Sequence, residues 1–171
     1  MRRLALVLAI LALCAIAGAD ALRSQIDATT AAVHAAIMNR DIDAYAKAVK
    51  DCVTKDFKCT EKGKTGSIDL LVAEMKQVFD AIPQTTSEEA ILLSLVKKSY
   101  SATGTTEHKI KGVSTDENGD THKVAFYGTS VETYRKVKGK WLVSKIAWRT
   151  RQMTMDGKPM DMTKTPAADG S

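Results

Sequence analysis

The sequence predicts an α+β domain in which helices in the first half pack on an antiparallel sheet formed by the second half. Residues 27–50 are rich in Ala, Ile and Met and contain no Pro or Gly, which favours helices. Thr121–Met155 is rich in β-branched and aromatic residues with alternating polarity, which is typical of strands. Asn118-Gly119 and Lys138-Gly139 punctuate this half, and such pairs mark hairpin turns.

Three helices are predicted ahead of the sheet. The apolar pattern of residues 27–50 is interrupted at Asn39-Arg40, and Asp41 can cap a second helix by accepting hydrogen bonds from first-turn amides. A third helix is expected to begin after Ser67, to carry an apolar stripe on one face and to end before Pro83. The first half of the chain therefore predicts two consecutive helices with a bend between them, followed by a third.

The strands are predicted from alternating polarity and from the turn residues between them. A short strand covers Phe57–Glu61. Ile91–Thr103 favours a strand, although Thr86 and Glu89 have the spacing of a helix capping box and leave a helix open. A further strand covers Glu107–Ser114. On the long strand Thr121–Val137, one face carries Val124, Phe126, Gly128, Ser130, Glu132 and Tyr134.

The N-terminus has the pattern of a secretory signal peptide. Met1-Arg2-Arg3 is positively charged, Leu4–Ala17 is an unbroken apolar run, and small residues lead up to a cleavage site after Ala19, with Ala19-Asp20-Ala21 as a second possible site. The run is too short for a membrane-spanning helix, which needs about 20 apolar residues. We therefore expect residues 1–19 to be removed and the mature protein to be exported, periplasmic or secreted, with no membrane span. Residues 20–30 form an N-terminal segment, and residues 160–171 form a flexible polar tail.

Export bears on the cysteines. Cys14 would leave with the leader, and the remaining pair, Cys52 and Cys59, suggests a disulfide in an oxidising compartment. The bond requires Cα atoms within about 7 Å, so the chain would have to reverse between them, at Thr54–Asp56. Two unpaired buried thiols are the alternative. The spacing of this pair and of the distant histidines does not match a metal site, and we expect no metal.

Charge and motifs exclude several classes of function. The 171 residues carry a formal net charge of +5, and two of the 25 basic residues belong to the predicted leader. So small an excess, with no basic cluster interleaved with aromatic residues, predicts no nucleic-acid partner. The glycine-punctuated turn Lys62–Gly66 lacks the spacing of a phosphate-binding loop. No cofactor is expected.

The order of elements resembles the nuclear transport factor 2-like, or SnoaL-like, superfamily, and in particular its secreted, uncharacterised bacterial members. The likeness spans most of residues 31–159. It is carried by Asn39–Tyr45 followed by Asp56-Phe57, and by Asp120–Val124, Glu132–Tyr134, Gly139–Trp141 and Met153–Pro159. The resemblance implies a cystatin-like cone, in which a curved antiparallel sheet wraps around the N-terminal helices and encloses an apolar pocket. It does not fix an activity, because relatives include isomerases, cyclases, dehydratases and association domains.

An acid–base set like that of the superfamily's isomerases is not found. Those enzymes use an Asp base with a Tyr and a protonated Asp as oxyanion donors. Here Val33 stands where the resemblance places the Tyr, and residues 121–137 contain no Asp. Glu61, His34 and Glu132 are weak catalytic candidates. Each has a plainer interpretation: Glu61 solvated beside a turn, His34 at the surface or in the core, and Glu132 paired with a Lys or Arg across strands.

The remaining histidines, His108 and His122, flank the Asn118-Gly119 turn and are expected to oppose each other across it at the surface. The predicted pocket wall is made of Met and aromatic side chains, each of which could equally be plain core: Tyr45, Phe57, Met75, Phe79, Tyr134 and Trp148. We therefore expect an exported domain that binds a small apolar ligand or a protein partner in or around its cone. An isomerase or dehydratase-like lyase with a pocket carboxylate or His is the alternative, and a homodimer formed through the sheet is a third hypothesis.

Overall fold

A computed structural model describes residues 21–160. The predicted leader with its cleavage site at Ala19, Cys14 and residues 161–171 of the predicted tail lie outside the described residues. Within the described range, no helix is long and apolar enough to cross a membrane.

Three helices form, as the sequence predicts, but the first begins at residue 21, within the predicted N-terminal segment, and not at residue 27. They are α1 (residues 21–38), α2 (Ile42–Cys52) and α3 (Ile68–Ala81). The chain bends between α1 and α2 because Arg40 adopts a positive φ of 54°, and the Asp41 carboxylate accepts a 2.9 Å hydrogen bond from the Ala44 amide. The predicted bend and cap are thus confirmed. The α3 helix ends two residues before Pro83, which cannot continue it.

Seven strands form one curved, unclosed sheet. Its order is β2-β1-β6-β5-β4-β3, with β7 paired to β6 beside this path. The strands β1 and β6 run parallel, and every other pair is antiparallel. The strand bounds are β1 Val53–Glu61, β2 Lys64–Gly66, β3 Gln84–Lys97, β4 Ser101–Thr115, β5 Thr121–Val137, β6 Lys140–Met155 and β7 Lys158–Met160.

The ambiguous stretch is a strand, but its predicted limits are wrong. The chain reverses at residues 98–100, where the Lys98 amide donates a 2.7 Å hydrogen bond to the Ser101 carbonyl. The predicted strand Ile91–Thr103 therefore belongs to two strands, and β4 is longer than the predicted Glu107–Ser114. The turn contains neither Gly nor Pro, the strongest signals of a turn, so the sequence marks it only weakly through Ser99. The turns at Asn118-Gly119 and Lys138-Gly139 form as predicted, with positive φ at Gly119 and Gly139.

The predicted disulfide between Cys52 and Cys59 is not formed, and both thiols are free. The expected reversal at Thr54–Asp56 does not occur, because β1 follows directly on α2 and carries the chain onward. Val53 pairs with Val143 on β6 whereas Cys59 pairs with Ile146. Three strand positions separate those partners, about 10 Å at the usual rise, which exceeds the Cα separation that a disulfide spans.

The three helices cover one face of the sheet, which we call the inner face. On β5 it carries Val124, Phe126, Ser130, Glu132 and Tyr134, all buried. The main core lies between this face and α1, α2 and α3. A second, smaller core, formed by Leu22, Ala102, Tyr134 and Trp141, fixes the first turns of α1 to the end of the sheet.

Candidate functional site

A cavity of about 180 Å³ lies between the helices and the inner face. Most of its wall is apolar. The helices contribute side chains such as Val33, Ile37 and Val78, and the sheet contributes Ile110 and Phe126. A second cavity of about 60 Å³ adjoins it under the first turns of α1, and the two share wall residues that include Tyr134 and Val143. The cone is therefore hollow.

Four of the six predicted pocket residues line the larger cavity: Tyr45, Met75, Tyr134 and Trp148. The other two, Phe57 and Phe79, are buried in the main core but are not part of the cavity wall. Burial raises the pKa of both the Tyr45 and Tyr134 phenols far above the ordinary value, so both hydroxyls stay protonated. Contact of any of these residues with a ligand stays a prediction.

A chain of hydrogen bonds crosses the cavity floor through His108, Ser130 and Glu132. The Nε2 atom of His108 lies 2.8 Å from Ser130 Oγ, and the Ser130 hydroxyl donates to Glu132 Oε1. The other carboxylate oxygen, Oε2, accepts a 2.9 Å bond from the Thr106 hydroxyl. Ser130 is fully buried and Glu132 nearly so. The interpretation that Glu132 pairs with a Lys or Arg is thus wrong, because its partners are two hydroxyls, with His108 at 3.8 Å.

Strand register brings this cluster together. On β4 and β5, Thr106 is opposite Ser130 and His108 is opposite Gly128. Alternate residues of a strand share a face, so Ser130 and Glu132 both point inward and meet Thr106 and His108 from the neighbouring strand. Two strands of the meander are therefore sufficient to assemble the cluster.

Gly128 leaves the space in which Trp148 packs beside His108. A Cβ atom at position 128 would lie 2.7 Å from Cζ3 of Trp148, closer than any real contact. Because that space is open, the indole lies across the strand with its ring centroid 5.1 Å from that of His108. The position of Trp148 thus holds the imidazole against the cavity wall.

The expectation that His108 opposes His122 across the hairpin is wrong. The register places His122 opposite Ser114 and His108 opposite Gly128. His122 is a surface residue that bonds Asp156 and Asp116, whereas His108 lines the cavity. Counting pairs outward from the Asn118-Gly119 turn would have put His108 on the face of Ser130.

Of the predicted catalytic candidates, Glu132 lines the cavity, and His34 lies behind the wall. His34 Nδ1 is 2.6 Å from Glu88 Oε2, an ion pair that joins α1 to β3 when the imidazole is protonated. The Glu88 side chain is buried and lines the cavity, while 47% of the His34 side chain is exposed. His34 therefore contacts a side chain of the cavity wall without lining the cavity itself.

Glu61 does not line the cavity, but it pairs with Arg151, which does. Its carboxylate lies 2.7 Å from Nη1 of Arg151, and the same guanidinium nitrogen lies 3.1 Å from the Glu74 carboxylate. Arg151 is buried, with its guanidinium 5.3 Å from the centre of the Trp148 ring. This arrangement connects β1, α3 and β6 and gives Glu61 a structural contact. Among the described residues, no group of three or more His, Cys, Asp or Glu side chains could hold a metal ion.

Comparison with known proteins identifies the fold through solved structures. No family model and no curated protein sequence matches the chain. An NTF-2 like protein of unknown function from Shewanella oneidensis is 14% identical, with a TM-score of 0.52 over 74% of this chain and 97% of that one. A hexachlorocyclohexane dehydrochlorinase is 14% identical, with a TM-score of 0.56 over 81% and 88% of the two chains. A candidate scytalone dehydratase from Novosphingobium aromaticivorans is 15% identical, with a TM-score of 0.56 over 75% and 83%.

Proposed function

Since the chain has the nuclear transport factor 2-like fold, we propose that it is an exported domain that binds a small, largely apolar molecule inside its cone. The observation that carries this proposal is the cavity of about 180 Å³ with apolar walls and one polar cluster on its floor. A dry cavity of about 150 Å³ is known to be large enough for benzene. The expected ligand is therefore a molecule with about one ring.

The composition of the wall supports binding of an apolar body with a single polar group. Burial of apolar surface drives association, while a buried polar group of the ligand needs a partner. The polar groups of the wall include the imidazole of His108 and the carboxylate of Glu88, which lie on neighbouring strands. Met75 and the surrounding aromatic side chains can adapt to the shape of the ligand.

Thermal unfolding in the presence of phenol, toluene and indole tests this proposal. We expect a saturable rise in the unfolding temperature of the wild-type protein. The variant Val33→Phe fills part of the cavity from α1 and should lose that rise, whereas Leu70→Phe, on the exposed surface of α3, should keep it. If no probe stabilises the wild-type protein at any concentration, the binding proposal is wrong.

Proton transfer in the same cavity is a second candidate function, and it corresponds to the isomerase or lyase alternative. The observation that favours it is the hydrogen-bonded chain from His108 through Ser130 to Glu132, since an imidazole backed by a carboxylate is a suitable general base. Two solved structures with this fold are described as a dehydrochlorinase and a candidate dehydratase. Conversion of 3-cyclohexenone to its conjugated isomer, absent in His108→Gln, would support this function, and a rate equal to that of buffer would count against it for this substrate class.

Export is supported by the leader pattern of residues 1–19. Expression of the full chain in a bacterial host, followed by intact-mass analysis of the periplasmic and secreted fractions, tests it. We expect a mature protein that begins at Asp20. Retention of the full-length chain in the cytoplasm would contradict both export and cleavage at Ala19.

A further inference from the structure

We infer that the hydrogen-bonded chain on the cavity floor holds His108 with its proton on Nε2, so that the lone pair of Nδ1 makes the cavity selective for apolar molecules that donate a hydrogen bond. Phenols and alcohols belong to this class, whereas ethers and ketones of the same size do not. This inference rests on the proposed function, because it names the ligand class of the same cavity. The position of the proton on the His108 ring, however, can be measured without any ligand.

The direction of the hydrogen bonds follows from an account of donors and acceptors. An ionised carboxylate only accepts, and Glu132 faces two hydroxyl groups, those of Ser130 and Thr106. The Ser130 hydroxyl has a single proton, which it donates to Glu132. Its oxygen can then serve His108 Nε2 only as an acceptor, so Nε2 must carry the proton. In the neutral imidazole, Nδ1 is therefore the unprotonated nitrogen.

Burial leaves His108 as the member of this chain that a ligand can reach. Ser130 is fully buried, and both oxygens of Glu132 already accept a hydrogen bond. The His108 side chain retains 27% of its exposure, and Trp148 and the small residue Gly128 lie beside the ring. The ring is thus fixed in place while Nδ1 has no partner among the described residues.

Several other polar groups of the wall agree with this preference or are indifferent to it. Glu88 uses Oε2 for His34, and its remaining oxygen is a second acceptor. The hydroxyls of Tyr45 and Tyr134 can both donate and accept, so they do not discriminate. Arg151, the cationic residue of the wall, pairs with Glu61 and Glu74 through Nη1, and the donors Arg151 Nε and Trp148 Nε1 are both buried. The acceptor atoms of His108 and Glu88 thus favour a ligand that donates.

The first measurement is the ¹⁵N spectrum of the His108 ring in the ligand-free protein, at a pH where the imidazole is neutral. We expect a protonated Nε2 and an unprotonated Nδ1. Ser130→Ala should abolish this preference, because Nε2 loses its acceptor. Thr129→Ala alters the residue that precedes Ser130 on β5, on the opposite face, and should leave the spectrum unchanged. A proton on Nδ1 in the wild-type protein would overturn the inference.

The second measurement compares phenol with anisole, which accepts but cannot donate through its oxygen, using toluene as the apolar reference. Phenol satisfies the Nδ1 acceptor, whereas anisole leaves it unpaired. The dissociation constant of phenol should therefore be about tenfold lower than that of anisole, once each value is corrected for the transfer of the probe from water to alkane. His108→Phe should remove that advantage while toluene still binds. Binding of toluene with no advantage for phenol would refute the inference and leave the proposed function intact. Failure of all three probes would refute the proposed function and the ligand preference with it, while the position of the His108 proton is decided separately by the ¹⁵N spectrum.

Discussion

Gln25 pairs its side-chain amide with both backbone groups of Trp141. The amide nitrogen donates to the Trp141 carbonyl, and the amide oxygen accepts a 3.1 Å hydrogen bond from the Trp141 amide. This is the pattern of a neighbouring strand, and it occurs where β6 has no strand on the side of β1, because the pairing of β1 with β6 begins only at Val143. One side chain of α1 therefore completes the ladder and fixes the helix over the smaller cavity.

Replacement of this glutamine should destabilise the protein through unpaired backbone groups. Gln25→Ala leaves the Trp141 carbonyl and amide without partners in a part-buried position, which should lower the free energy of unfolding by about 2 kcal/mol. Gln25→Glu keeps an acceptor for the amide and should cost less. Urea denaturation measures the effect of both substitutions. The control is Arg23→Ala, which removes an exposed ion pair with Asp27 on the same helix. Equal midpoints for Gln25→Ala and Arg23→Ala would contradict the role of the pairing.

Arg151 should be the most sensitive charged residue of the described structure. Its side chain is only 8% exposed and contacts two carboxylates, so Arg151→Met leaves Glu61 and Glu74 without their cation. We expect a loss of about 3 kcal/mol, whereas Glu61→Gln should cost about 1 kcal/mol because Glu74 still pairs with the arginine. Lys76→Met, which removes an exposed ion pair on α3, is the matched control and should change little. Equal urea midpoints for Arg151→Met and the control would contradict this expectation.

The sequence predicted those features of the fold that neighbouring residues determine, and it failed where distant contacts or unmarked turns decide. The alternation on β5 predicted that Ser130 and Glu132 share a face with Phe126, and they do. It could not say which face the helices cover, because both faces carry polar residues. The reversal at Lys98 was missed because no Gly or Pro marks it.

The site was harder to predict than the fold because its contacts join distant parts of the chain. His108 was assigned to the surface since its partner across the hairpin was misjudged, although the register fixes it opposite Gly128. The contact of His34 with Glu88 connects residues 54 positions apart. The pairing of Gln25 with Trp141 spans 116 positions, and no local pattern indicates it.

The stability of the protein should depend on pH through His122. Hydrogen bonds to Asp156, and secondarily to Asp116, raise the pKa of His122. The hydrogen bond from His122 is the main cause that lowers the pKa of Asp156. The hydrogen bond from the Asp120 amide is the main cause that lowers the pKa of Asp116. The histidine's contribution is complete below its ordinary pKa of 6.5 and is lost as the pH rises through its higher folded-state pKa. The aspartates' contribution is present above their ordinary pKa of 3.8 and is lost as the pH falls through the lowered values.

The contribution of this cluster should therefore be largest between pH 3.8 and 6.5. Urea midpoints of the wild-type protein and of His122→Gln, compared from about pH 5.5 to about pH 8.5, measure it. The advantage of the wild-type protein should shrink as the pH rises. Because His34 and His108 are present in both proteins, their titration cancels in the difference. An advantage that stays constant or grows with pH would contradict this assignment.

The two cysteines should react slowly in the folded protein. Burial is the main cause that raises the pKa of both the Cys52 and the Cys59 thiols to about 11, from an ordinary value of 9.0. The thiolate is the reactive form, so at mildly alkaline pH alkylation by iodoacetamide should be about 100-fold slower than in the unfolded chain. Mass spectrometry counts the modified residues at each position. A peptide containing Cys52 and Cys59 in a disulfide would restore the bond that the sequence predicts.

The outer face of the sheet, opposite the helices, is where the predicted homodimer would form. The edge strand β3 exposes 49% of Ile91, 57% of Leu93 and 62% of Val96. Leu93→Lys places a charge on this surface and should shift a dimer toward monomer, because burying the unpaired charge opposes association. Light scattering over a range of protein concentrations measures the shift. The control is Leu70→Lys, since Leu70 lies on α3 and is 45% exposed, and this substitution should leave the association unchanged. A wild-type protein that is monomeric at every concentration, or a dimer that Leu70→Lys weakens and Leu93→Lys does not, would remove the sheet as the interface.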